Sequence, residues 1–458
     1  MDEQYGWYFT APWDPVSVRR GDAFGFRAAA DYFAELLAPG LSNSTFDARW
    51  ISILSWCLQW SDVAWRNAGG GDLSRRDDQR ARYAWLRPLE LLWVDRTLQS
   101  GQTTGQLRGR RSIERWRKAD RRLSNFAMSP DQFRRYRQVG MYGAYRVVLR
   151  TIPGLTTGDG WTPDTAARAL ANLVNDSLPH EAGLKLTHFE NGTRWGNWSG
   201  GGEARFWEER GWKLAWVKVG GILPTADEAI RKRLPEAERR LLEPALFGAG
   251  STRRITAEVL ASAKDAKTHA DLCDVLANSS TLSKRIKSSS LALLPDFTRF
   301  TDAAMSAMRE LWNEINQDAA NQAPTVEKLA RSRELRSRLD ILRHAGADWL
   351  RAPNRSEFQH QQVVTHLAES MRDALTPAEQ LRVLARHHDE HGGGRRWFRE
   401  QAGKVVPLVK TTDIAASDYR FRLRPICLLA AQCGVANMNA ALDALAQHAS
   451  DDEEGDIL

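Results

Sequence analysis

The sequence predicts a mainly α protein with a minor β component (α+β), a multi-helix chain in two domains with a small C-terminal hairpin and strand unit. Two observations carry that expectation. Apolar residues recur at spacings of three and four through most of the chain, the period of a helix that buries one face. Strict alternation is confined to one short stretch near the C-terminus, beside a glycine-centred turn that suits a hairpin.

Taken in order, residues 22–38 read as a helix with Phe26, Ala29, Ala30, Phe33, Leu36 and Leu37 on one face, stopped by Pro39-Gly40. After the turn Leu41–Thr45, a second helix buries Trp50, Ile53, Leu54 and Cys57, with Trp60 and Val63 as candidates for the same face. Gly69-Gly70-Gly71 connects it to a third over residues 81–99. Ser129-Pro130-Asp131-Gln132 supplies a cap, a proline at the first helical position and a glutamine three residues after the cap, which predicts a helix over 130–139. Thr162-Pro163-Asp164 opens another over 162–178, and the Gly/Trp-rich residues 193–219 suit strands.

In the second half, helices are expected over 226–246, 257–276, 294–317, 326–350, 358–375 and 377–388, with Gly392-Gly393-Gly394 ending the run. Residues 396–400 and 405–410 flank Gln401-Ala402-Gly403-Lys404 as a hairpin. Tyr419 to Arg424 alternates, which predicts a half-buried strand with Tyr419, Phe421 and Leu423 on one face and Arg420, Arg422 and Arg424 on the other. Pro425 opens a last apolar helix through Cys433, capped by Gly434, and residues 438–448 follow it.

A chain of 458 residues is about three times a typical domain length. Tryptophan divides it: 15 of the 18 precede Lys218. The expected organisation is therefore a Trp-rich, basic N-terminal domain (1–220), a helical domain (221–390), a small C-terminal α/β unit (391–450) and an acidic tail (451–458), with the first boundary in Val219–Pro224. Hydrophobic residues at 42% and charged residues at 26% exclude a disordered chain, a collagen-like fibre and a disulfide-built miniprotein. Cys57, Cys273, Cys427 and Cys433 form no CxxC pair and read as reduced core thiols. The opening Met1-Asp2-Glu3-Gln4 has neither a basic nor an apolar leader segment, and no stretch approaches the ~20 apolar residues of a membrane helix, so a cytoplasmic protein with no membrane partner is expected.

Charge is the most uneven property of the chain. Residues 108–150 hold 13 basic and three acidic side chains, a net charge of +10, whereas the whole chain carries +7. Arg108, Arg110, Arg111, Arg115, Arg117, Lys118, Arg121, Arg122, Arg134, Arg135 and Arg137 can neutralise phosphates, and Trp116 and Tyr136 among them can stack on bases. DNA or RNA is the expected partner. Arg395, Arg396, Arg420, Arg422 and Arg424 are candidates for a secondary contact. A solvated arginine face around an aromatic core gives the same composition.

The other constellation is His387-His388-Asp389-Glu390-His391. If the helix persists, His387 and His391 stand at i and i+4, a spacing at which two imidazoles can share a metal. No third ligand is assignable, however, and histidine also suits a helix C-terminus electrostatically. No metal and no cofactor are expected, with His387 and His391 as the candidates should one bind. Phosphate loops of the GxxxxGK[ST] type and the GxSxG elbow are absent. Asp47, Asp159 and Glu190 are carboxylates that a fold can bring together, and Trp195, Trp198, Trp207, Trp212 and Trp216 read as core packing of a small sheet.

Two stretches resemble a signature of uncharacterised bacterial proteins encoded near anti-phage defence genes. The first is Leu37-Ala38-Pro39-Gly40-Leu41-Ser42 with Asp47-Ala48-Arg49-Trp50 and Trp56. The second runs from His387-His388 through Gly392-Gly393-Gly394 and Arg396-Trp397-Phe398 to Tyr419-Arg420-Phe421-Arg422-Leu423. The resemblance covers about a sixth of the chain and brings no catalytic residues. It implies a component that works beside other subunits of a multi-protein defence system. The expected function is a non-enzymatic nucleic-acid-binding or scaffold subunit of such a complex. A metal-dependent nuclease or phosphohydrolase using the histidine turn or a carboxylate cluster, and a protein-binding adaptor without nucleic-acid contact, are the alternatives.

Overall fold

The computed structural model describes residues 22–67, 140–157, 160–176, 234–318, 323–392, 396–408 and 419–446, with isolated helical turns between 82 and 114. Its helices are α1 (Arg27–Leu37), α2 (Ala48–Asn67), α3 (Met141–Thr151), α4 (Thr165–Asp176), α5 (Glu236–Phe247), α6 (Thr252–Ser262), α7 (His269–Ala277), α8 (Ser280–Ser283), α9 (Ser288–Asp318), α10 (Val326–Leu329), α11 (Arg333–Arg351), α12 (Gln361–Asp373) and α13 (Pro377–His391). A hairpin of β1 (Phe398–Gln401) and β2 (Lys404–Pro407) follows, then α14 (Leu423–Cys433) and α15 (Asn439–Ala446). The chain is mainly helical with a minor antiparallel sheet, as its periodicity predicts.

Helix starts follow the capping chemistry. Ser251, Ser279, Thr325 and Ser332 each accept a hydrogen bond from the amide three residues on. Thr268 with Asp271, and Thr376 with Glu379, close reciprocal capping boxes at α7 and α13. Each satisfies amides that a helix start otherwise leaves orphaned.

The chain divides into two compact units. The first takes Gly40–Ala249 with Gln432–Gly434, and in it α2 packs on α3 and α4, and α4 on α5. Its core is aromatic: Trp56 meets Trp93 edge-on at 6.0 Å and Tyr142 stacks on Trp161 at 4.8 Å. The second takes Gly250–Ala431 with residues 22–39 and 435–446. There α9 is a spine between α7 and α11, α11 packs on α12, α12 on α13, and the hairpin on α13. At its centre Phe33 packs against Phe297, Phe358 and Phe421 at 5.1–5.6 Å, and Phe297 against Phe421 at 5.8 Å. Gly346 lets α11 approach closely, since a Cβ there would stand 3.2 Å from the Phe300 ring.

The hairpin forms where expected. Ala402 (φ 50°) and Gly403 (φ 74°) both adopt positive φ, the two-residue turn that matches strand twist, and Gln401 pairs with Lys404.

Four expectations are corrected. Tyr419–Arg424 is not a strand: Arg422 enters the left-handed region (φ 60°), the Leu423 amide donates to the Arg420 carbonyl, and α14 begins at once. The alternation is real, with Tyr419, Phe421 and Leu423 buried and the arginines half-buried, but it belongs to a turn anchored by every other side chain. The helix expected over 257–276 is two, α6 and α7, because the Thr268 box restarts the helix after a loop. Likewise 326–350 splits into α10 and α11 at the Ser332 cap. Finally, α13 continues past His388 to His391. The helix expected over 130–139, the strands over 193–219 with their tryptophans, the boundary at 219–224 and the acidic tail lie outside the described residues.

Candidate metal centre

The three histidines that close α13 have different surroundings. His388 is saturated: its Nδ1 donates to the Ala23 carbonyl at 2.8 Å, and its Nε2 accepts from the Trp397 amide at 3.0 Å. Burial pushes its pKa down. It joins the turn before α1 to the start of the hairpin, and nothing of its ring is left for a ligand.

His387 faces the other way. Its Nε2 lies 3.1 Å from the Phe24 carbonyl oxygen, and a carbonyl can only accept, so Nε2 carries the proton and Nδ1 the lone pair. That Nδ1 is buried and makes no hydrogen bond. Burial first, then the neighbouring His391, lowers the pKa of the ring to about 3. It is therefore neutral, the form that ligates metal.

His391, one turn on, places its ring 4.5 Å from that of His387. From α12, His366 reaches the same point, with ring centroids 5.9 Å from His387 and 5.5 Å from His391. One donor nitrogen from each of the three lies within 4.8 Å of the others, with His387 buried, His391 half-buried and His366 exposed. Tetrahedral coordination at the 2.0–2.1 Å of a zinc–imidazole bond sets donors ~3.4 Å apart, so a metal must draw the set in by up to ~1.4 Å. The exposed His366 is the side chain free to travel. Asp389 does not join the set: Arg396 at 2.8 Å and Arg399 at 3.2 Å hold its carboxylate.

The turn beneath the cluster is tightly built. Asp22 accepts from the amides of Phe26 and Arg27 and from the Tyr419 hydroxyl, and that hydroxyl accepts from the Phe24 amide. Gly25 has φ 75°, and a Cβ there would stand 2.8 Å from the His391 carbonyl oxygen. Gly25→Ala should therefore cost roughly 2–4 kcal/mol in left-handed strain and overpacking. Chemical denaturation measures it, and a cost below ~1 kcal/mol would mean that the turn is not seated as described.

Among the arginines named from sequence, Arg108 donates to Ser44 Oγ at 2.9 Å and Arg110 to Glu114 at 2.6 Å. Arg396 also donates to the Asp389 carbonyl, Arg420 to the Leu445 carbonyl at 2.9 Å, and Arg422 to Glu35 at 2.5 Å. Arg424 is half-buried in the first turn of α14. Arg111, Arg115, Arg117, Lys118, Arg121, Arg122, Arg134, Arg135, Arg137, Arg395, Trp116 and Tyr136 lie outside the described residues. So do Asp159 and Glu190, while Asp47 lies within the first unit, where burial raises its pKa and Gln432 partly offsets it.

Comparison with protein-family models, with curated proteins and with solved structures finds no match to this chain. Sequence reasoning found His387 and His391 and missed His366. A signal for it exists: residues 374–376 alone separate α12 from α13, and residues at comparable distances from so short a turn face each other.

Proposed function

We propose that this chain is a metal-dependent hydrolase of nucleic-acid phosphodiesters, built on His366, His387 and His391. The observation that carries the reading is the orientation of His387, whose bond to Phe24 aims an unpartnered lone pair at two further imidazoles. Ligating histidines are commonly held in this way by a carbonyl on the second nitrogen. Three imidazoles suit zinc and other late first-row metals. With three protein ligands and an exposed side, a bound metal keeps a position for water or substrate, the arrangement that supports hydrolysis. The +10 segment at 108–150 supports a polyanionic substrate.

The test uses the full chain stripped by chelation and incubated with labelled DNA and RNA, with and without Zn²⁺ or Mn²⁺. Cleavage is expected only with metal. Failure to bind either metal, or cleavage that persists in chelator, overturns the reading.

The same basic segment favours a second reading: a non-enzymatic nucleic-acid-binding subunit of a bacterial anti-phage defence complex, with DNA or RNA and other subunits as partners. Metal binding without cleavage, together with salt-sensitive binding of nucleic acid, supports it. Reversing Arg134, Arg135 and Arg137 to glutamate should then weaken binding for all sequences and flatten the dependence of log K on log salt by up to ~0.9 per lost phosphate contact. An unchanged slope would count against it.

A further inference from the structure

The carbonyl that holds His387 belongs to a turn with anchors of its own, all of them in the second unit. The Tyr419 hydroxyl, 395 residues on, accepts from the Phe24 amide at 3.2 Å and donates to Asp22 Oδ1 at 2.8 Å. The same carboxylate receives the amides of Phe26 at 3.0 Å and Arg27 at 3.3 Å. Amides on both sides of the Phe24–Gly25 peptide are thereby held. Rotation of that peptide is the freedom that remains, and the seating of Gly25 limits it. Gly25 lies against both helices that carry the histidines, since a Cβ there would stand 2.8 Å from the His391 carbonyl oxygen on α13 and 3.4 Å from Val363 Cγ1 on α12. The Phe24 carbonyl is therefore aimed before any metal arrives.

Water is kept from this chain of bonds. Phe24 and Phe26 are fully buried and Tyr419 is 1% exposed. The Phe26 ring lies 5.6 Å from that of Tyr419 and 5.8 Å from that of His387. Burial first, then the adjacent Asp22, pushes the Tyr419 pKa well up, so the hydroxyl keeps the proton it donates. In such surroundings solvent does not compete for the His387 proton, and the direction of its bare Nδ1 follows the Phe24 carbonyl.

We propose that the Tyr419 hydroxyl is a positioning group for metal binding: with Asp22 it locks the turn whose Phe24 carbonyl orients His387. The role rests on the reading of His366, His387 and His391 as a metal centre, and it is exerted through Phe24.

The test measures the zinc affinity of the full, metal-stripped chain by competition with a chromophoric chelator, beside its stability to denaturant. Tyr419→Phe keeps the ring and its packing and loses only the hydroxyl. Groups that orient a metal ligand are worth ~10–100-fold in affinity, so a loss of at least ~10-fold, about 1.4 kcal/mol, is expected. Thr256→Val is the control for stability. It removes a buried bond of the same unit, 2.8 Å from the hydroxyl to the Leu37 carbonyl at the far end of α1, and should lower stability while leaving zinc affinity within about twofold. The visible absorption of bound Co²⁺ reports the geometry of the ligand set, and it should change in Tyr419→Phe but not in Thr256→Val. Should Tyr419→Phe fail to fold, Asp22→Asn, which keeps the shape and an acceptor oxygen, reads the same clamp and should also lose affinity. Zinc affinity unchanged in the clamp variant, or weakened equally in Thr256→Val, overturns the proposal and leaves the metal centre standing. An unaltered chain that binds no zinc overturns both.

Discussion

Alanine at His366 is expected to reduce zinc affinity by at least about a hundredfold while leaving the metal-free protein as stable as before. The magnitude follows from the position of the residue. Loss of a group that merely orients a ligand costs 10–100-fold in affinity, so loss of a ligand costs no less. The side chain is exposed, and truncation of an exposed side chain in an otherwise intact helix changes stability little. Saturating zinc, at ~1,000 times its dissociation constant, should stabilise the unaltered chain by ~4 kcal/mol, roughly 10 °C in a unit of this size. His366→Ala should forfeit most of that shift. His387→Ala should lose both the shift and part of the metal-free stability, because Phe24 then loses its buried hydrogen-bond donor. Equal zinc affinity in the unaltered chain and His366→Ala would remove the three-histidine centre.

The two outer helical positions of this centre were legible because i, i+4 spacing is a local property, fixed once α13 forms. What spacing could not reveal was the division of labour between neighbours. His387 and His388 are adjacent and chemically identical, yet one is saturated by Ala23 and Trp397 and the other keeps a bare nitrogen. Both rings meet carbonyls more than 360 residues away in the chain, and the difference is the Trp397 amide, which the hairpin brings to His388 alone. The third ligand was hidden for the same reason, since His366 has an unremarkable helical neighbourhood and gains meaning only from the helix packed beside it.

At the level of fold, residues whose conformation is locally determined were read correctly. Ala402-Gly403 makes the turn that its strands require, and α13 starts at its proline behind a threonine. The misreadings lie where a tertiary anchor imitates a local pattern. Tyr419-Arg420-Phe421-Arg422 alternates because Asp22, Leu445 and Glu35 each hold a side chain, not because a neighbouring strand pairs with the segment. Residues 37–39, His388 and Tyr419 are likewise structural joints. Leu37, Ala38 and Pro39 offer carbonyls to Thr256, Arg422 and Arg253, and His388 and Tyr419 clamp the turn at Ala23 and Phe24. These residues hold the fold together by contacts distant in sequence.

Arg49 supplies the sharpest test of that view, and its replacement by methionine is expected to destabilise the first unit by ~3–5 kcal/mol. The guanidinium on α2 pairs with Glu238 on α5, and the two side chains are 8% and 2% exposed. Removing one charge strands the other where water cannot solvate it, and Glu238 Oε1 already makes no hydrogen bond. Surrounding groups reinforce the joint: Trp50 and Trp56 are buried beside it in sequence, and Gln432 accepts from the Ala48 amide at 2.6 Å. Glu238→Leu should cost a similar amount alone. The double variant Arg49→Met/Glu238→Leu should recover most of the loss, because a buried pair pays for its attraction with the desolvation of both charges. Equilibrium denaturation of the four proteins measures the coupling. Single variants that each cost under ~1 kcal/mol, or a double variant as unstable as the sum of the singles, would show that the pair is solvated and does not hold the fold.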